Sequence, residues 1–103
     1  MTYCIFRTDR IGDVVLTLPL ASVLKRHDPA ARVLFCAQDY TAGLVRLCPD
    51  VDDLISIPER DVAMPAAYFG LRLREYDIDT AVFAFPRPGL AMAAARAGIP
   101  CRV

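Results

Sequence analysis

The apolar positions of this chain fall in short continuous runs rather than in alternation. Residues 3–6 (YCIF), 32–37 (RVLFCA), 53–57 (DLISI) and 80–85 (TAVFAF) are rich in β-branched, aromatic and Cys side chains. Such runs read as strands covered on both faces. Between them the period changes. Residues 12–27 predict a helix that is apolar nearly all round as far as Leu24 and then turns basic at Lys25 and Arg26, where cations complement the helix dipole. Asp28-Pro29 stops it, and Pro19 within it predicts a kink or a missing hydrogen bond. Residues 40–47 read as a short helix, 58–64 as a loop and 65–75 as a helix with Pro65 at its first position. Residues 88–97 form an Ala-rich helical segment closed by Gly98, and 100–103 begin a fifth strand.

Strand and helix thus alternate four times before a last strand. This order predicts an α/β fold: a Rossmann-like three-layer domain with a parallel sheet and helices on both faces. Cys4, Ile5, Val33, Phe35, Val82 and Phe83 are the expected residues of its buried central strands, and the run at 53–57 is expected near an edge. In such a sheet all strand C-termini share one edge, and ligands bind outside that edge at the topological switch point. The turn after the first strand lies there. It is crowded with charge: Arg7, Asp9, Arg10 and Asp13.

Composition narrows the classes. The chain has 103 residues, enough for one domain spanning 1–103, and 55% hydrophobic content excludes a disordered chain. Its 12 basic and 12 acidic residues cancel, so there is no general nucleic-acid footprint. Cys4, Cys36, Cys48 and Cys101 form no CxxC pair, and His27 is the only histidine. The cysteines therefore read as small buried apolar residues in a reducing cytosol rather than as a metal site. The opening residues MTYCIFRTDR do not read as a signal peptide, and the apolar run 14–24 is too short to span a bilayer. The expected location is cytoplasmic. Lys25, Arg26, Arg72 and Arg74 read first as solvated helix faces and second as contacts for anionic lipid or acceptor phosphates.

Known motifs are mostly absent. No GxGxxG follows the first strand and no GxxxxGK[ST] occurs, which excludes the dinucleotide fingerprint and the P-loop. A phospho-receiver reading lacks its Asp after the third strand and its Lys after the fifth. Attention returns to Asp13. An acid in the first turn of a helix complements the dipole. Three features point beyond that role: the ligand-binding edge, Gly12, which allows close backbone approach, and Thr17, four residues on and on the same helix face. Arg10 could hold the carboxylate or an anionic group, and Asp9 reads as a cap or an Arg partner. Arg87, in the turn after the fourth strand, is a further candidate for an anionic ligand beside its plainer reading as a solvated loop residue.

In order along the chain, "RTDRIGDVVLTLPL", "VLKRHDPAARVLFCA", "LCPDVDDLISIP" and "YDIDTAVFAFPRPGLAMAAARAGIPCRV" resemble the N-terminal half of a family-nine glycosyltransferase, the group of ADP-heptose:lipopolysaccharide heptosyltransferases and their relatives. The resemblance implies the GT-B arrangement of two Rossmann-like domains facing a cleft. It implies an N-terminal domain that holds a lipopolysaccharide core acceptor and a C-terminal domain that binds the nucleotide-sugar donor, such as ADP-heptose. It implies inverting transfer without a metal or other cofactor. The family's general base, the Asp of the I-G-D motif, maps onto Asp13, with Arg10, Gly12, Thr17 and Arg87 as substrate-binding candidates. The donor domain lies outside these 103 residues, so the chain is expected to be inactive alone and to need that domain in a longer or companion chain. Peripheral contact with the cytoplasmic face of the inner membrane fits such an acceptor. The alternative reading is a non-catalytic Rossmann-like binding module or truncated gene remnant.

Overall fold

The computed structural model describes residues 1–8, 10–57, 66–84 and 88–103, with only the backbone for 66–68. Its elements are β1 (Thr2–Phe6), α1 (Ile11–Thr17), α2 (Pro19–His27), β2 (Arg32–Gln38), α3 (Asp39–Val45), β3 (Asp53–Ile57), α4 (Ala66–Arg74), β4 (Thr80–Phe83), α5 (Pro88–Arg96) and β5 (Cys101–Arg102). The strands pair in parallel in the order β3-β2-β1-β4-β5. The fold class is that expected from the alternation, and the weak strand at 53–57 is indeed an edge. The predicted loop at 58–64 and Pro65 lie outside the described residues.

Alternation along each strand divides the core into two layers. Ile5, Val33, Phe35 and Ala37 meet Val14 of α1, Ala21 of α2 and Val45 of α3 on one face. Cys4, Phe6, Leu34, Cys36, Ile55 and Ile57 meet Phe69 and Leu73 of α4 and Leu90, Ala93 and Ala94 of α5 on the other. The helices after β1 and β2 therefore cover one face, and those after β3 and β4 the opposite one. The strand order turns at β1, with β2 and β3 laid down on one side of it and β4 and β5 on the other, and the gap between β1 and β4 is the switch point.

Three local readings are refined. The helix expected over 12–27 is two helices. Leu18 keeps helical angles, φ −54° and ψ −37°, but Pro19 has no N–H to continue the ladder and becomes the first residue of α2. Gly98 closes α5 at φ +77°, with the Ile99 N–H on the Ala94 carbonyl at 3.2 Å and the Gly98 N–H on the Ala95 carbonyl at 3.1 Å. Val82 and Phe83 are only half-buried, whereas Cys4, Ile5, Val33 and Phe35 are fully buried. Their neighbour β5 is a two-residue edge, and no described helix packs on the Val82 face of β4. The same edge position leaves Cys101 exposed; Cys48, in the turn after α3, is half-buried, while Cys4 and Cys36 are enclosed in the central strands. Burial pushes the Cys4 thiol well up and that of Cys36 up to about 12, so both stay protonated.

Candidate functional site

The C-terminal edge at the switch point is built from the ends of β1 and β4. The Arg7 N–H bonds the Cys36 carbonyl of β2 at 3.1 Å, and the Ala84 N–H bonds the Phe6 carbonyl at 3.2 Å, so the sheet extends one residue past both strands. Beneath them the rings of Phe6 and Phe83 stack with centroids 4.8 Å apart. The floor of the site is therefore continuous sheet backed by stacked rings.

Arg7 spans this floor. One guanidinium nitrogen donates to the Ala84 carbonyl at 3.0 Å, and another lies 3.4 Å from the Asp13 carboxylate. Arg7 is largely enclosed, with 14% of its side chain exposed, while 42% of the Asp13 side chain remains accessible. Asp13 is thus held on one side and open to a ligand on the other. The cation on Asp13 is Arg7, the first residue after β1, and not Arg10. Arg10 caps α1 from an exposed position and makes no ion pair with Asp13. Strand alternation carried the signal for this: Arg7 follows Ile5 by two and so shares the α1 face of the sheet.

Thr17 stands on the Asp13 face of α1 as the spacing predicts. Its hydroxyl donates to the Asp13 backbone carbonyl at 2.7 Å, so it orients the turn beneath Asp13 and offers a ligand only its lone pairs. Gly12 has no internal reason to be glycine. A Cβ built on it would meet nothing within 4 Å. Asp9 and Arg87 lie outside the described residues.

Sequence reasoning did not single out the polar wall that continues this edge over β2 and β3. Gln38 donates its side-chain amide to the Thr8 carbonyl, and the Thr41 hydroxyl donates to the Gln38 carbonyl at 3.0 Å. Ser56, near the end of β3, donates to the Asp39 carboxylate. Thr8 is 2% exposed, and its hydroxyl has no hydrogen-bond partner among the described residues. Strand pairing is what brings Gln38 to Thr8 and Ser56 to Asp39, while the Thr41–Gln38 bond is local to the start of α3. A separate cleft of about 290 Å³ lies between α4 and α5, lined by Gly70, Leu71, Arg74 and Arg96. There the Arg74 guanidinium is committed to the Arg96 carbonyl, at 2.9 Å. Among the described residues no cluster of His, Cys, Asp or Glu could hold a metal ion.

A carboxylate at a parallel-sheet switch point, oriented by a guanidinium and left accessible, can be set against other proteins of this fold. The crystal structure of a family-nine glycosyl transferase from Veillonella parvula superposes over 98% of the chain with a TM-score of 0.84 at 18% identity. The E. coli ADP-heptose lipopolysaccharide heptosyltransferase II superposes over 99% with a TM-score of 0.80 at 25% identity. This chain has the fold of the family-nine glycosyltransferases. It spans about 30% of the length of each of those two structures. A Haemophilus influenzae protein named "Putative glycosyltransferase" is 31% identical over 51 residues, half of this chain and 15% of that protein. No protein-family model matches the chain. The family-nine resemblance carried by the sequence motifs is therefore matched in three dimensions across nearly all the residues.

Proposed function

We propose that these 103 residues are the acceptor side of an inverting glycosyltransferase that moves a heptose or related sugar from a nucleotide-sugar to a lipopolysaccharide core acceptor. The observation that carries this reading is the Asp13 carboxylate at the switch point, held by Arg7 and accessible, in the fold of sugar transferases. In the proposed reaction Asp13 takes the proton from the acceptor hydroxyl as its oxygen attacks the anomeric carbon. The nucleoside diphosphate leaves from the opposite side of that carbon, which inverts its configuration. Arg7 keeps Asp13 directed at the cleft, and Gly12 lets the acceptor approach the α1 backbone. Arg10 and Arg87 are assigned to anionic groups of the acceptor. The donor is held by a second domain, in a longer or companion chain, which supplies the charge or amides that stabilise the leaving diphosphate. The proposed place of action is the cytoplasmic face of the inner membrane.

The test is transfer from ADP-heptose to a lipid A–Kdo acceptor by this domain joined to a donor-binding domain, wild type beside Asp13→Asn. Removing a general base costs roughly 10²–10⁴ in rate. Loss of a partly exposed ion pair costs at most about 1 kcal/mol in stability. Turnover within about threefold of wild type, at whatever melting temperature, assigns Asp13 to structure and overturns the proposed chemistry.

A further inference from the structure

The polar wall over β2 and β3 takes no part in the chemistry proposed for Asp13, yet it has hydrogen-bonding capacity to spare. Asp39 is exposed, and one oxygen of its carboxylate accepts from the Ser56 hydroxyl. Its other oxygen has no partner among the described residues. Gln38 is half-buried and donates its side-chain amide to the Thr8 carbonyl. Its side-chain oxygen has no partner among the described residues, and an amide carries a second N–H. The Ser56 oxygen, having given its proton to Asp39, keeps lone pairs. From α4, on the opposite face of the sheet, Arg72 donates to the Ser56 carbonyl at 3.3 Å.

The wall adjoins the candidate base. The Gln38 bond to Thr8 ties it to the turn that leads to Asp13. Asp13 and Asp39 occupy the first turns of α1 and α3, which pack against each other on one face of the sheet. β1, β2 and β3 are successive neighbours, so the end of β3 lies about 10 Å along the edge from the end of β1. That span is longer than one sugar ring. A ring with its hydroxyl at Asp13 therefore leaves the next ring of an oligosaccharide over Gln38, Asp39 and Ser56.

We infer that this wall is a subsite for a neutral sugar ring, the neighbour of the ring whose hydroxyl Asp13 would deprotonate. It rests on the acceptor reading above and adds which residues recognise the second ring. The chemistry selects the ligand. An anion has no proton for these oxygens and meets the Asp39 charge. An ammonium group has donors only, so it leaves the Gln38 N–H unanswered. A sugar hydroxyl both donates and accepts, and adjacent hydroxyls on one ring can meet the carboxylate and the amide together. An acid in the first turn of α3 also complements that helix's dipole, a role the test separates from binding.

The experiment is an amide NMR titration of this 103-residue chain with methyl α-mannopyranoside, beside glycerol, ethanolamine and inorganic phosphate. Saturable shifts of the Gln38 side-chain amide and of the Asp39 and Ser56 backbone N–H signals are expected with the pyranoside. The other three compounds should leave those signals in place. Asp39→Asn keeps an oxygen for Ser56 but gives up the charge, and should weaken the binding about tenfold. Asp53→Asn, an exposed acid at the opposite end of β3, should titrate as wild type. The inference is overturned if the pyranoside moves none of the wall signals, or if glycerol, ethanolamine or phosphate moves them equally. It is also overturned if Asp39→Asn lowers only the melting temperature and titrates as wild type, since Asp39 then serves the helix. No transfer is measured, so a failed titration leaves the Asp13 turnover test standing, and the two failures are read separately.

Discussion

The same substitution at three glycines should act with opposite signs, and Gly12 is the informative member. It lies in the first turn of α1, where a Cβ would meet nothing within 4 Å and where φ is not positive. The backbone does not need glycine there, and packing does not either. Gly12→Ala should therefore stabilise the domain by roughly 0.4–1 kcal/mol, chiefly by restricting the unfolded chain. For a domain of this size that is a rise in melting temperature of roughly 2–8 °C. Gly98→Ala should do the reverse, because φ is +77° and an L side chain there costs about 1–2 kcal/mol. Gly70→Ala has the same helix gain, but its Cβ would lie 3.1 Å from the Arg96 Cβ and 3.4 Å from the Ala93 carbonyl where α4 and α5 cross, so crowding opposes that gain and the variant should be less stable than Gly12→Ala. Thermal or urea unfolding of the three variants side by side is the assay. A destabilised Gly12→Ala would refute the reasoning, because the residue would then serve the fold. A stabilised Gly12→Ala that also loses acceptor affinity in the complete enzyme would show that the missing side chain serves the ligand.

Three further outcomes are expected. These 103 residues alone should give no measurable sugar transfer with ADP-heptose and a lipid A–Kdo acceptor, and clear product formation would contradict the division of labour between two domains. Partial burial would raise the Asp52 carboxyl, but the Lys25 ammonium at 2.6 Å, the Val33 N–H at 2.7 Å and Arg32 together hold it below its ordinary value. Its contribution to stability is then present above about pH 4 and lost as pH falls through the lowered value, so Asp52→Asn should flatten the acid limb of a melting-temperature profile and leave a smaller difference at low pH. Thr8→Val removes a buried hydroxyl that has no partner among the described residues and keeps the side-chain shape. It should stabilise by about 1 kcal/mol in denaturant unfolding, and a comparable loss would reveal a bond made by that hydroxyl.

The sequence by itself determined the kind of fold and the neighbourhood of the site. Continuous apolar runs separated by helical periods can bury themselves only as a covered parallel sheet, and that constraint is local enough to read residue by residue. It also placed Asp13, Gly12 and Thr17, because the end of β1 and the start of α1 are neighbours in the chain. The break at Pro19 and the glycine closure at Gly98 were legible for the same reason: each follows from one residue's own backbone chemistry. What joins distant segments was not legible in this way. Alternation along β1 puts Arg7 on the α1 face, but that its guanidinium is held against Asp13 depends on the Ala84 carbonyl, 77 residues further along the chain, which anchors it. The half-burial of Val82 and Phe83 depends on β4 lying next to a two-residue edge. Ile11, Val15, Leu16 and Val23 of α1 and α2 are exposed because a helix nearly apolar all round has only one side against the sheet. Pattern assigns residues to an element and to one of its faces, but which face is covered is a property of everything packed around it, and only the tertiary structure decided that.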